Sequence, residues 1–157
     1  MADEVYFKKV IPAFRFKVDF LSENGNTADF PSVDFSEVSG IGIELQTEDI
    51  MEGGMNNEII RLPKPPKYKN LVLKHALSTD PPETKTLVEW ALNAVENFDF
   101  KPLTVAVSLI DSNDTALKTW NFTGAYPVKL TISDLSASKN EVIIETLELA
   151  YRRFKLM

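Results

Sequence analysis

The chain alternates apolar and polar residues over much of its length, which is the signature of half-buried strands. In "AFRFKVDFLS", Phe14, Phe16, Val18 and Phe20 fall on one side and Arg15, Lys17 and Asp19 on the other. "ENGNT" follows, with Asn-Gly as a turn signal. "DFSEVSGIGIELQTEDI" reads as one long or kinked strand, with Gly40 and Gly42 where it can bend or bulge. In "YKNLVLKHAL", Leu71, Leu73 and Leu77 share a face.

The period then changes. "STDPPETKTLVEWALNAVENF" spaces Leu87, Trp90, Ala91, Ala94 and Phe98 as the stripe of a helix, with Asp80 as its cap and Pro81 at its first position. Glu83, three residues after the cap, completes a capping box. Glu89, Asn93 and Glu96 fall away from the stripe, and Trp90 is expected to anchor it in the core. Strands resume in "TVAVSLID", with Val105, Val107 and Leu109 opposite Thr104, Ala106 and Ser108. After the turn "SNDTA" comes "LKTWNFTGAYPVKLTIS", whose Pro127 marks an edge, a bulge or a corner. "NEVIIETLELAYRRF" is read as a strand: Ile143, Leu147, Leu149 and Tyr151 share a face at period two, interrupted by Glu145. The expected fold is mainly β, a small β-barrel or sandwich with one flanking α-helix. It forms a single domain over residues 1–157, with an N-terminal arm at 1–12.

The 157 residues suffice to bury a core without staples. There is no cysteine, which excludes disulfides, thiolate metal sites and cysteine nucleophiles. No signal-like leader and no apolar run of membrane-spanning length is present, so a soluble protein of a reducing cytoplasm is expected, with no stable membrane insertion. The net charge of −6 is uneven: residues 1–50 carry all of it, and residues 51–82 are net +2. The one basic cluster, "RLPKPPKYK", is short and proline-stiffened, and it reads as a solvated connection in preference to a polyphosphate groove.

Catalytic chemistry is hard to build from these residues. The single histidine, His75, shares parity with Leu71 and Leu73 and reads as a partly buried or interface residue. No second histidine exists for a zinc motif. "DSNDT" starts like a calcium loop but has Phe122 where the twelfth-position glutamate belongs. Gly53-Gly54 is not followed by Lys-Ser/Thr, so it is no phosphate loop. No enzyme, cofactor or metal is expected.

"EDIMEGGMNNEI" is the segment that asks for a partner. Its residues Glu48, Asp49, Ile50, Met51, Glu52, Gly53, Gly54, Met55, Asn56 and Asn57 are expected to protrude as an interface loop. Glycine permits close approach and methionine adapts to irregular surfaces. Its two readings are a loop that orders against another subunit and an ordinary hairpin loop with buried methionines.

"FSEVSGIGIELQTEDIMEGGMNNEIIRLP" resembles the signature region of contractile-tail inner tube proteins. "YKNLVLKHAL" and "LVEWALNAV" are similar to the family's following strand and helix. "WNFTGAYPVKLTISDLSASKNEVIIETLELAYRRF" resembles its closing segment at Trp120, Ala125, Pro127, Lys129 and Asn140-Glu141. His75-Ala76 stands where arginine-glycine is more usual, and "YRRF" lacks an acid expected nearby.

The resemblance implies subunits that join as hexameric rings and stack into the inner tube of a contractile phage tail or contractile injection system. The implied partners are further copies, a sheath protein, baseplate or hub and tube-terminator proteins, and translocated cargo, either protein or DNA, in the channel. Assembly in the bacterial cytoplasm follows from the same resemblance. Thr104, Ser108 and Thr131 are the candidates for the channel wall, and Glu89 and Glu96 for the sheath side. A tube-initiator or hub ring of the same fold is the alternative, and a monomeric ligand-binding barrel is a further one.

Overall fold

The computed structural model describes residues 15–23, 31–51, 53–54, 58–77, 83–138 and 141–157, without the side chains of 83–85. The N-terminal arm, Phe14, the proposed helix cap at Asp80 and Pro81, and Asn140 lie outside the described residues.

The order of elements is β1 (Arg15–Leu21), β2 (Val33–Phe35), β3 (Glu37–Ser39), β4 (Ile43–Ile50), β5 (Ile60–Tyr68), β6 (Leu71–Ala76), α1 (Glu83–Asn97), β7 (Leu103–Ile110), β8 (Ala116–Ile132), β9 (Ile144–Ala150) and β10 (Arg153–Leu156). Among the described residues, seven strands run in the order β2-β1-β7-β8-β9-β6-β3, with β10 paired to β8. The pairs are antiparallel throughout. This is the mainly β fold with one helix that the periodicity predicts, but no ladder joins its ends, so the sheet is not closed into a barrel.

The ends still meet. A single residue, Ser36, separates β2 from β3, and its backbone N–H donates to the Lys74 carbonyl at 2.9 Å. Phe35 on β2 lies against the His75 ring on β6, with centroids 4.9 Å apart. The sheet thereby wraps around a core that includes Val18, Phe20, Leu73, Val107, Phe122 and Leu149, all buried.

The long β8 turns the corner. It pairs with β7 through Ala125 and with β9 from Tyr126 on. The register slips between Pro127 and Lys129. Proline has no N–H for a ladder and is at home at such a slip. The helix packs Leu87, Trp90, Ala91 and Ala94 inward, as the stripe predicts. Trp90 meets Phe20 edge-on at 5.9 Å, and its indole N–H donates to the Lys101 carbonyl at 3.0 Å. Phe98 differs from the expectation. The helix ends one residue earlier, Phe98 takes a left-handed backbone (φ 54°), and its side chain swings out to 82% exposure.

Glu145, the residue that interrupts the apolar alternation of β9, is buried, and His75 Nε2 lies 3.0 Å from its Oε1. A buried polar pair of this kind is costly to break singly and cheap to replace whole. We expect Glu145→Ala to lose about 3 kcal/mol of stability, and His75→Leu with Glu145→Leu to lose less than about 1 kcal/mol, by urea denaturation of the subunit.

Tyr151 packs on Phe122 at 4.8 Å, and its hydroxyl is buried with no hydrogen-bond partner among the described residues. Burial pushes its pKa up to about 12, and the neighbouring Tyr68 adds to the rise. A raised folded pKa means stability that is complete below the ordinary phenol value, about 10, and is lost as pH climbs through the folded value. Tyr151→Phe should therefore flatten the fall of Tm above pH ~10. It should leave Tm at pH 8 unchanged or higher, because an unpaired buried hydroxyl is removed.

Candidate subunit interface

β4 and β5 stand apart from the wrapped sheet as a separate two-stranded ribbon. The chain leaves the domain through Gly40–Gly42 and returns at Lys69–Asn70, where the Lys69 N–H donates to the Gly42 carbonyl at 3.3 Å. Gly40 has φ +85°, and a Cβ on it would sit 1.9 Å from the Asn70 carbonyl oxygen. Only glycine fits this neck.

The ribbon's register pairs Ile43 with Tyr68, Glu44 with Lys67, Leu45 with Pro66, Thr47 with Pro63, Glu48 with Leu62, Asp49 with Arg61 and Ile50 with Ile60. Between Leu45 and Thr47 it shifts, with Lys64 and Pro65 facing Gln46. "PKPPK" is thus part of a strand, which corrects its reading as a solvated connection. Proline argues against a strand because it cannot donate to a ladder. The argument fails here because β5 is paired on one side only and its prolines sit at and beside a bulge.

Every residue of β4 is exposed, and so is every residue of β5 except Tyr68 at the root. Among them are Leu45 at 59%, Ile43 at 54% and Leu62 at 43%. A two-stranded hairpin without a second layer is marginal in water, and exposed aliphatics in this number mark a contact surface.

Of the sequence-proposed interface residues, Glu48, Asp49 and Ile50 close β4. Met51 follows at 84% exposure. Gly53 and Gly54 form a turn, with φ +109° at Gly54 and no atom within 4 Å of a Cβ placed on either. Glu52, Met55, Asn56 and Asn57 lie outside the described residues. The sequence-proposed interface stops short of Ile43 and Leu45 at the root and of Ile60 and Leu62 on the return strand, which are exposed as well. A signal was available: in "IELQTEDI" the apolar residues begin on odd positions and end on an even one.

The other named residues are scattered. Thr104 is half-buried opposite Leu21. Ser108 is buried, with its hydroxyl 3.0 Å from that of Thr119. Thr131 is exposed at the far end of β8, in register with Thr146. Glu89 and Glu96 are exposed on α1. A second apolar surface lies near them: Phe98 meets Phe100 edge-on at 5.6 Å, and Phe100 meets Tyr126 at 5.4 Å.

No group of three or more metal-ligating side chains occurs among the described residues, and no helix among them is long and apolar enough to cross a membrane. A surface hollow of about 450 Å³ lies in the loop between β8 and β9 and is lined by Asp134, Leu135, Ser136, Ala137, Glu141 and Ile143. It gathers no nucleophile–base pair.

Residues 12–155 match the family model of the T4-like virus tail tube protein gp19. No curated protein matches the sequence. Among solved structures, a chain of the anti-feeding prophage baseplate is 27% identical, with a TM-score of 0.73 over 94% of this chain and 97% of that one. A chain of the extracellular contractile injection system PVC sheath–tube complex, in the extended state, is 23% identical, with a TM-score of 0.75 over 96% and 93%. The fold recurs more distantly in Hcp1 from Salmonella typhimurium, 14% identical, with a TM-score of 0.52 over 92% and 86%. With the family model spanning nearly its whole length, the chain belongs to the T4-like virus tail tube protein gp19 family.

Proposed function

We propose that the protein is the structural subunit of the inner tube of a contractile injection system or contractile phage tail, and that it assembles as hexameric rings stacked around a channel. One observation carries the reading beyond family membership: a self-sufficient core bears a ribbon that nothing among the described residues covers. A contact that relates copies head to tail closes into a ring when the rotation closes, and extends as a filament when it does not.

The sheath, the baseplate or hub and a terminator are the partners at the outer wall and the two ends, and protein or DNA is the cargo. Thr131, exposed beside Thr146, suits a channel wall of hydroxyl groups; Thr104 and Ser108 belong to it only if assembly uncovers them. Glu89 and Glu96 present acid to the sheath. Assembly takes place in the bacterial cytoplasm, and the product is a phage tail or an injection particle.

A ring that initiates or ends the tube is the second reading. It is favoured by the likeness to chains of an anti-feeding prophage baseplate and of the same particle's tube-terminating cap, the latter at 24% identity and a TM-score of 0.76. Negative-stain microscopy of the purified protein, alone and with its sheath and baseplate neighbours, separates the readings. Long tubes support the tube subunit, single rings the initiator or terminator, and persistent monomers under both conditions overturn both.

Two variants test the ribbon. Gly53→Val should leave the subunit's thermal midpoint unchanged, since a Cβ there meets no atom of the subunit, and should abolish tube growth; normal tubes would remove the tip from the interface. Gly40→Ala should cost at least about 2 kcal/mol in denaturant titration, because a left-handed backbone and a carbonyl contact oppose its methyl group.

A further inference from the structure

We propose that the outward face of β3, β6, β9 and the second half of β8 carries charges that cancel within each subunit, and that as the channel wall it passes polypeptide and not nucleic acid. This rests on the tube-subunit reading and names the class of cargo that the reading leaves open.

Successive strand residues alternate between the two faces of a sheet. On β6 and β9, Leu71, Leu73, Leu147 and Leu149 turn to the core and are buried. The residues between them point the other way, and the antiparallel register sets them in two rows. One row runs Glu37, Lys74, Thr146, Thr131 from β3 across to β8. The next runs Ser39, Val72, Glu148, Lys129. Glu37, Ser39, Lys129 and Thr131 are exposed, and the other four are half-buried. The outward face of β7 is less open, since Ala106 and Ser108 on it are buried.

These rows form a surface with little to stick to. Val72 is their one apolar member. The large exposed apolar side chains lie elsewhere, such as Leu45 and Leu62 on the ribbon, Leu92 and Val95 on α1, and Leu135 in the β8–β9 loop. Each row holds one acid and one base, so the two rows together carry no net charge. Lys74 Nζ lies 3.8 Å from a Glu37 carboxylate oxygen. Glu148 stands in register with Lys129 and accepts a hydrogen bond from the Asn70 amide at 2.9 Å. Opposite charges set side by side across strands attract, and beyond about 8 Å in physiological salt little of their field is left.

The balance selects the polymer. Duplex DNA carries one charge per roughly 1.7 Å of axis under a sheath of condensed counterions, and proteins hold it by replacing those ions with Lys and Arg. Here each base has an acid beside it, so nucleic acid would give up counterions and gain no free cation in return. A polypeptide of mixed charge meets hydroxyl groups, both signs of charge and almost nothing apolar to arrest it. The same wall recurs in every subunit, so a weak preference multiplies along the tube.

Two independent measurements on tubes grown with baseplate proteins and without sheath test the proposal. The chain has no cysteine, so Thr131→Cys gives a single labelling site. A small maleimide should label it in tubes as in free subunits, whereas a maleimide carried on a folded protein should label free subunits and react at least tenfold more slowly with tubes. Equal reaction of the bulky reagent, or no reaction of the small one, overturns the wall assignment. For the cargo, unmodified, Glu37→Gln and Glu37→Lys tubes are assembled with labelled single-stranded DNA and treated with nuclease. Glu37 is exposed, so the free variants should melt within about 2 °C of the unmodified protein. Glu37→Lys tubes should protect at least about tenfold more DNA than unmodified tubes, Glu37→Gln tubes an intermediate amount, and the gain should vanish as salt rises. Protection by unmodified tubes equal to that of Glu37→Lys tubes overturns the cargo assignment, as does nuclease-protected nucleic acid inside particles isolated from the source cell. All these outcomes leave the tube reading standing; failure of the unmodified protein to form tubes, with or without sheath, overturns both.

Discussion

A two-stranded ribbon with aliphatic side chains on both faces has no layer to bury them against, and the structure's organisation follows from that constraint. A stable β architecture needs a second layer, either another sheet or a helix. The wrapped sheet of this protein has one, closed by Phe35 over His75 at the seam and by α1. The ribbon has none among the described residues. The division is sharp. Leu71 and Leu73, just past the neck, are fully buried, while Leu62 and Ile60 before it face water.

The neck makes the division possible. At Gly40 the chain passes so close to the Asn70 carbonyl that a side chain would collide with it, and Lys69 bonds Gly42 across the same point. The two strands therefore leave the domain already in register. An ordered root lowers the conformational entropy that a partner must overcome on binding. The bulge between Leu45 and Thr47 then adds local twist to the ribbon.

Much of the domain was legible because its strands obey a simple period. β1, β6, β9 and the helix stripe follow from alternation and helical spacing, and Pro127 marks the corner of β8. Three features resisted, each for a physical reason. Glu145 reads as a flaw in the alternation because its partner, His75, lies 70 residues away. Phe98 keeps helical spacing, but the backbone leaves the helix just before it. The second half of the ribbon's far strand, "PKPPK", hides behind its prolines, since proline speaks against a strand wherever both edges must be paired, whereas "NEIIRLP" before it already reads as a strand. The tip of the candidate interface was legible from composition, while the root was not, because Ile43 and Leu45 look the same in sequence whether a strand faces a core or open water.

The same prolines and charges bear on how so bare a ribbon avoids indiscriminate pairing. An uncovered strand edge recruits any extended chain unless something blocks it, and lysine and proline on the edge are common blocks. β5 carries both, with three prolines, Lys64 and Lys67 in nine residues. β4 has neither lysine nor proline and carries acids instead. Each edge is thereby hostile to a copy of itself, since like charges would face each other. The subunit keeps its own core self-contained, and the ribbon stays bare among the described residues.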